Sequence, residues 1–286
     1  MSPVPERAEG ETKGRVADPW LVALDVDGTI LHEDETLDDA VVEAAGRARD
    51  RGHELMLATG RSWRTTEPIL RRLGIMPEYA VCANGALIMR RMGDVFDGEG
   101  EPEYVRAHVE TFDPTEVLLQ IREHLPTAKY MVELADGTRR HTAEMIDWDL
   151  SQSVEVRFEA LLGQEATRVV VVSPDHEIED FLRIVDEMGL RRVSYSVGWT
   201  SWLDVAPAGV NKSTALERVR EWLGWPQSRI LAVGDGRNDI EMFEWAALEG
   251  RAVAMGQAPA EVKAVVKEVT GSVEEQGLAA VLDSLP

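Results

Sequence analysis

The chain has 286 residues, 44% of them hydrophobic, and carries 52 acidic against 30 basic side chains for a net charge of −22. That balance argues against a nucleic-acid partner, whose affinity is built from Lys and Arg contacts to phosphates; an anionic small substrate would need a locally positive site or a bound cation. The mean hydropathy of −0.21 and the length suit a globular protein with room for two domains. No run reaches the ~18 apolar residues of a membrane span, and the single cysteine, Cys82, excludes an internal disulfide and fits a reducing cytoplasm.

Residues 1–18 are rich in Pro, Gly and charge and lack an apolar segment, so they are expected to form a disordered tail and not a signal peptide. "LVALDVDGT" follows: four apolar residues, Leu21 to Leu24, suit a strand buried on both faces. The strand ends on Asp25 and Asp27, which alternation places on one side where they share a pocket. Two carboxylates ~4 Å apart repel by about 4 kcal/mol at an effective dielectric near 20. Either the pair caps the next loop, or a metal ion or a proton offsets the repulsion.

Residues 36–51 carry Leu37, Val41, Val42 and Ala45 at helical spacing. "HELMLATGRS" is a second strand ending in small polar residues, and "WRTTEPILRRLG" a helix closed by Gly74. "YAVCANGALI" is a third strand with Asn84-Gly85 as a turn signal. From Phe112 to Ser196 the pattern changes to helix, strands, helix, strands, enough for a small α+β domain inserted into the α/β chain. Then "RILAVGDGRND" and "RAVAMG" give two more strands, and "APAEVKAVVKEVT" a helix running into a short extended piece. The α/β strands end in Asp, Thr-Gly, Asn-Gly or Gly-Asp; in an open α/β sheet these ends gather where ligands bind.

Competing readings of single motifs are weaker. Gly234-x-Gly236-x-x-Asp239 imitates a dinucleotide fingerprint, but a carboxylate replaces the third glycine. Asp25-x-Asp27-Gly28 has its glycine too early for a calcium loop. Trp148, Trp199 and Trp202 read as packing residues, and Arg139-Arg140-His141 as an exposed loop. Asn211-Lys212-Ser213 matches a glycosylation sequon with no secretion signal to give it meaning.

Taken in order, "LDVDGTIL", "ATGRS", "NGALI", "VAPAGVNKSTAL", "VGDGRNDIEMF" and "VAMGQA" resemble the haloacid dehalogenase-like (HAD) phosphatases, in the Cof-type branch with an inserted cap. The resemblance implies a Rossmann-like α/β core over 19–111 and 197–286 and a cap over 112–196. It implies a phosphatase of small phosphorylated metabolites, such as sugar phosphates, with Mg²⁺ as cofactor. Asp25 is then the nucleophile that forms an aspartyl-phosphate, and Asp27 the acid that protonates the leaving oxygen and later activates water. The implied metal ligands are the Asp25 carboxylate, the Asp27 backbone carbonyl and Asp235. Thr59 and the Gly60 amide would hold phosphoryl oxygens, Lys212 would add positive charge, and Asn238 and Asp239 would support the lysine and the metal's water shell. Thr29, Arg61 and Asn84 have no firm role. Lys212 by itself would be a solvated helix-start residue whose loss leaves stability unchanged. Two departures from the branch, Asn211 and Gln257, are expected not to touch the chemistry. A phosphomutase on the same core, or a non-catalytic sensor of a phosphate ligand, are the alternatives.

Overall fold

The computed structural model describes residues 18–93, 103–145, 153–197 and 201–286. The expected tail lies outside these residues except for Asp18, which pairs with Arg229 at 2.5 Å; Trp148 and Trp199 also lie outside them.

The chain opens with β1 (Leu21–Leu24), α1 (Asp39–Asp50), β2 (Glu54–Leu57) and α2 (Trp63–Leu73). Strand β3 (Tyr79–Cys82) turns through a short 3₁₀ segment into β4 (Leu87–Met92), which pairs antiparallel with β5 (Glu103–Val109). Next come α3 (Thr115–His124), β6 (Lys129–Leu134), β7 (Arg139–His141), β8 (Val154–Glu155), β9 (Ala166–Val172), α4 (Ile178–Met188), β10 (Val193–Val197) and β11 (Trp202–Pro207). The chain closes with α5 (Lys212–Leu223), β12 (Ile230–Gly234), α6 (Ile240–Ala246), β13 (Arg251–Ala254), α7 (Ala260–Lys263), β14 (Glu268–Val269) and α8 (Gly277–Asp283).

Five of these strands form a parallel sheet in the order β14-β13-β12-β1-β2. Strand alternation divides β1 between two cores. Val22 and Leu24 pack with α1, α2 and α8, while Leu21 and Ala23 pack with α5 and α6. Burying each such Leu or Val contributes about 1.5–3 kcal/mol. Because both faces are covered, the strands read as unbroken apolar runs. Helix α2 ends as expected at Gly74, whose φ of 68° suits the left-handed cap position.

A second sheet of six strands, β10-β11-β9-β6-β7-β8, is separate from the first. Helices α3 and α4 cover one of its faces with Leu118, Ile121, Phe181 and Val185 against Tyr130, Val132, Val169 and Val171. The expected end of the insertion at Ser196 falls inside a hairpin. Strand β11 pairs with β10 and β9, so this sheet continues to Pro207. Alternation explains the misplacement: "WLDVAP" buries Leu203 and Val205 against the cap helices, whereas the motif resemblance had assigned the whole stretch to the core. Arg139-Arg140-His141 is likewise no exposed loop. It is strand β7, paired with β6, with Arg139 and His141 buried. Trp202 sits half-buried on β11.

Candidate active site

The carboxyl ends of β1 and β12, which are adjacent in the sheet, deliver Asp25 and Asp235 side by side. Asp25 is 4% exposed and Asp235 2%. After β1 the chain turns at Gly28 (φ 76°), where a Cβ would collide with the Asp235 carboxylate. The two loops therefore meet at a distance only glycine permits.

Lys212 is the first residue of α5 and is fully buried. Asn211 sets that start, its side chain accepting from the Thr214 amide at 3.0 Å while its own amide donates to Thr214 Oγ1 at 3.1 Å. The lysine Nζ donates to Asp25 Oδ1 and to Asp239 Oδ1, each at 2.6 Å. Asp239 Oδ2 accepts from the amides of Asp235 and Gly236 at 3.0 and 2.9 Å. Lys212 is therefore not a solvated helix-start residue: it bridges two buried carboxylates, and its loss must cost stability.

Burial, the charge of Asp239 and that of Asp27 push Asp25 up to about 7 against the pull of Lys212. Burial and the charges of Asp25 and Asp239 push Asp235 up to about 8, opposed by a hydrogen bond from Gln257. Burial alone would lower Lys212, but Asp239 and Asp25 hold its ammonium above the ordinary lysine range.

Carboxylate oxygens of Asp25, Asp235 and Asp239 lie within 4.8 Å of one another. Asp239 has both oxygens engaged, whereas Asp235 Oδ1 is buried with no hydrogen-bond partner. Ionised together, three carboxylates against one ammonium would leave two negative charges in a buried site, which is why Asp25 and Asp235 are held above the usual carboxylate range. An orphaned oxygen and a deficit of two charges fit a hard divalent cation held by Asp25 and Asp235.

Asp27 does not share the Asp25 pocket. Its side chain is 55% exposed and is gripped by Arg61, with Nη2 at 2.5 Å from Oδ1 and Nε at 3.0 Å from Oδ2. Arg61 also reaches Glu35 at 3.0 Å. The reason is local: the regular strand ends at Leu24, and Asp27 belongs to a separate bridge with Leu31. Thr59 is fully buried, and its Oγ1 accepts from the Arg61 amide at 3.1 Å. Gly60 follows it, close to Asn84. Asn238 Nδ2 donates to Asn84 Oδ1 at 3.0 Å. Thr29 is buried, and its Oγ1 has no hydrogen-bond partner.

Gln257, expected to lie clear of the chemistry, donates to Asp235 Oδ2 at 3.1 Å and to the Gly28 carbonyl. Sequence reasoning also missed Arg168 and Asp204, a buried ion pair at 2.9 Å on the cap face turned toward the core. The available signal was a charge inside the otherwise apolar strands "TRVVVV" and "WLDVA". A cavity of about 330 Å³ lies between β10, β11 and the core, with Asn84, Ser194, Asp204, Lys212, Arg237 and Asn238 among its lining. A larger groove on the cap, of about 560 Å³ beside Arg122, Tyr130 and Phe158, is lined by none of the site carboxylates.

A parallel sheet with a buried carboxylate–lysine cluster at its carboxyl edge, under a separate α+β sheet, defines a hydrolase of the phosphoryl-transfer type. A family model described as haloacid dehalogenase-like hydrolase matches residues 22–282, and the chain belongs to that family, in its Cof-type phosphatase branch. The chain is 26% identical over 269 residues to the 5-amino-6-(5-phospho-D-ribitylamino)uracil phosphatase YitU of Bacillus subtilis (strain 168), covering 91% of this chain and 95% of that protein. It is 29% identical to the pyridoxal phosphate phosphatase YbhA of Escherichia coli (strain K12), over 88% and 93% of the two chains. Among solved structures it is similar to the HAD subclass IIB sugar phosphatase BT4131, with a TM-score of 0.73, 20% identity and coverage of 92% and 98%. At that identity the likeness concerns the fold. No helix among the described residues is long and apolar enough to cross a membrane.

Proposed function

We propose that the chain is a Mg²⁺-dependent phosphatase of small phosphorylated metabolites that works through an aspartyl-phosphate on Asp25. The observation that carries this reading is the buried Asp25–Lys212–Asp239 bridge beside the orphaned Asp235 Oδ1. A structural ion pair has no need of a third buried carboxylate with an unpartnered oxygen, whereas a phosphoryl-transfer site has. The divalent cation, held by Asp25, Asp235 and the Asp27 carbonyl, supplies charge neutralisation for an anion approaching an anion.

The chain's own residues account for the rest. The Asp25 carboxylate attacks phosphorus, forming an O–P bond as the bond to the leaving oxygen breaks. Lys212 holds Asp25 by one oxygen and keeps a positive charge beside the transferring group, while Asp239 keeps the lysine in place. The Thr59 hydroxyl and the Gly60 amide hold phosphoryl oxygens. Asp27 delivers a proton to the leaving oxygen after giving up Arg61, then takes one from the water that displaces Asp25 from phosphorus. Asn238 supports the site through Asn84. The cavity of about 330 Å³ suits a small leaving group, and its Ser, Asn and Arg lining suits a polar one. The buried lone cysteine is in keeping with a reducing, cytoplasmic setting.

Phosphate release from a panel of esters with and without Mg²⁺ tests the reading. Sugar phosphates, pyridoxal phosphate and 5-amino-6-(5-phospho-D-ribitylamino)uracil belong on the panel. Asp25→Asn should fold but show no turnover of p-nitrophenyl phosphate, and activity within tenfold of wild type, about 1.4 kcal/mol of barrier, would remove Asp25 from the nucleophile's role.

A further inference from the structure

Strand β9 reads Ala-Thr-Arg-Val-Val-Val-Val, and its arginine is 2% exposed. Alternation sets Arg168 on the face opposite Val169 and Val171, away from α3 and α4. From there one arm of its guanidinium reaches across to the core and donates to the carbonyl oxygen of Gly60. Its other arm pairs with Asp204 at 2.9 Å, and Asp204 accepts from Asn84 Nδ2 at 2.9 Å. The Asn84 backbone N–H in turn donates to the Thr59 carbonyl at 3.0 Å. One buried ion pair of the cap thus grips both core loops that flank Thr59.

The Gly60 carbonyl and the Arg61 N–H are the two ends of one peptide unit. The carbonyl accepts from Arg168, and the N–H donates to Thr59 Oγ1 at 3.1 Å. A charged donor on the carbonyl strengthens the N–H as a donor, since hydrogen bonds in series polarise one another. A hydroxyl that is already an acceptor for a backbone N–H keeps its own hydrogen for donation elsewhere. Thr59 is fully buried just past the carboxyl end of β2, the strand paired with the one that delivers Asp25, so a phosphoryl oxygen would be the partner for that hydrogen.

We propose that Arg168 is a positioning residue for phosphoryl transfer: through the Gly60–Arg61 peptide it orients the Thr59 hydroxyl as a phosphate donor, so that the cradle is complete only with the cap seated on the core. This rests on the reading of Thr59 as a phosphate-holding residue. A purely structural Arg168, serving as countercharge to Asp204 within the cap, would affect unfolding and leave the role of Thr59 untouched.

The test is a double-mutant cycle on kcat/KM for p-nitrophenyl phosphate with saturating Mg²⁺, using Thr59→Val, Arg168→Met and the pair, each checked for folding by circular dichroism. Arg168→Met strands the Asp204 charge; if it does not fold, Arg168→Met/Asp204→Asn takes its place, with Asp204→Asn alone as control. Each single change should lower kcat/KM at least tenfold, and the pair should lie within threefold of Thr59→Val alone. Losses that multiply would overturn the role of Arg168 and leave the reading of Thr59 standing. A Thr59→Val variant within threefold of wild type would overturn both.

Discussion

Replacing Lys212 by methionine keeps most of the side-chain volume and removes the one positive charge among Asp25, Asp235 and Asp239. Each 2.6 Å contact is worth about 6 kcal/mol of attraction at an effective dielectric near 20. Much of that only offsets the desolvation of the charges. Breaking a buried pair by removing one partner costs about 3–5 kcal/mol in practice. For a chain of this size that is a fall in Tm of about 6–20 °C. Turnover should fall further, because a donor aimed at developing charge is worth about 10²–10³ in kcat. Thermal unfolding followed by circular dichroism, with p-nitrophenyl phosphate hydrolysis on the same sample, measures both. Mg²⁺ should return part of the lost Tm, since it supplies charge to the same carboxylates, but not the turnover. A Tm within about 2 °C of wild type, or full turnover in the folded variant, would refute the argument from burial.

Asp27→Asn should slow alkyl phosphates far more than p-nitrophenyl phosphate, because only the alkoxide needs a proton to leave; equal losses on the two esters would count against Asp27 as the acid. Gln257→Leu frees Asp235 Oδ2 and should raise the Mg²⁺ concentration for half-maximal activity about 10–100-fold with little change at saturation, as read from metal titrations of initial rate. His53 is buried, accepts from the Trp20 amide at Nδ1 (3.1 Å) and meets the Pro286 carbonyl at Nε2 (3.2 Å), and burial lowers its pKa below the usual 6.5. A depressed histidine favours the unfolded state as it charges, so its contribution is present above pH 6.5 and is lost as pH falls through and below that value. The stability gap between wild type and His53→Gln in urea should therefore narrow from pH 7.5 to pH 5; a constant gap would show that His53 does not titrate on unfolding.

The core was legible in the sequence because a strand buried on both faces writes itself as an apolar run, and its carboxyl end as an abrupt polar residue. Lys212 was located by the motif around it, yet its burial was not, since a lysine at a helix start carries no local mark of the two carboxylates that surround it. Alternation misjudged Asp27, for the period of two holds only while the chain stays in the strand, and β1 ends at Leu24. Arg168 and Asp204 were overlooked for a related reason. Each is a single charge in a β-run, and its meaning depends on which face of the cap sheet meets the core, a property of domain placement that no window of sequence contains.

Asp25 and Asp235 leave from neighbouring strands whose register pairs Leu24 with Val233. Asp235 lies one residue past the position opposite Asp25, so their separation follows from the inter-strand spacing of a parallel sheet, ~4.8 Å, plus a one-residue step along the chain, more than from how well side chains interlock around them. Backbone pitch barely responds to temperature or to an altered methyl group nearby. Core substitutions that shorten the protein's thermal lifetime should thus leave the gap between the two carboxylates as it was, and with it any preference among divalent ions placed there. Heating should abolish ion selectivity only when the central strands part, and the amides of Leu21 to Leu24 should be among the last in the chain to exchange with solvent deuterium.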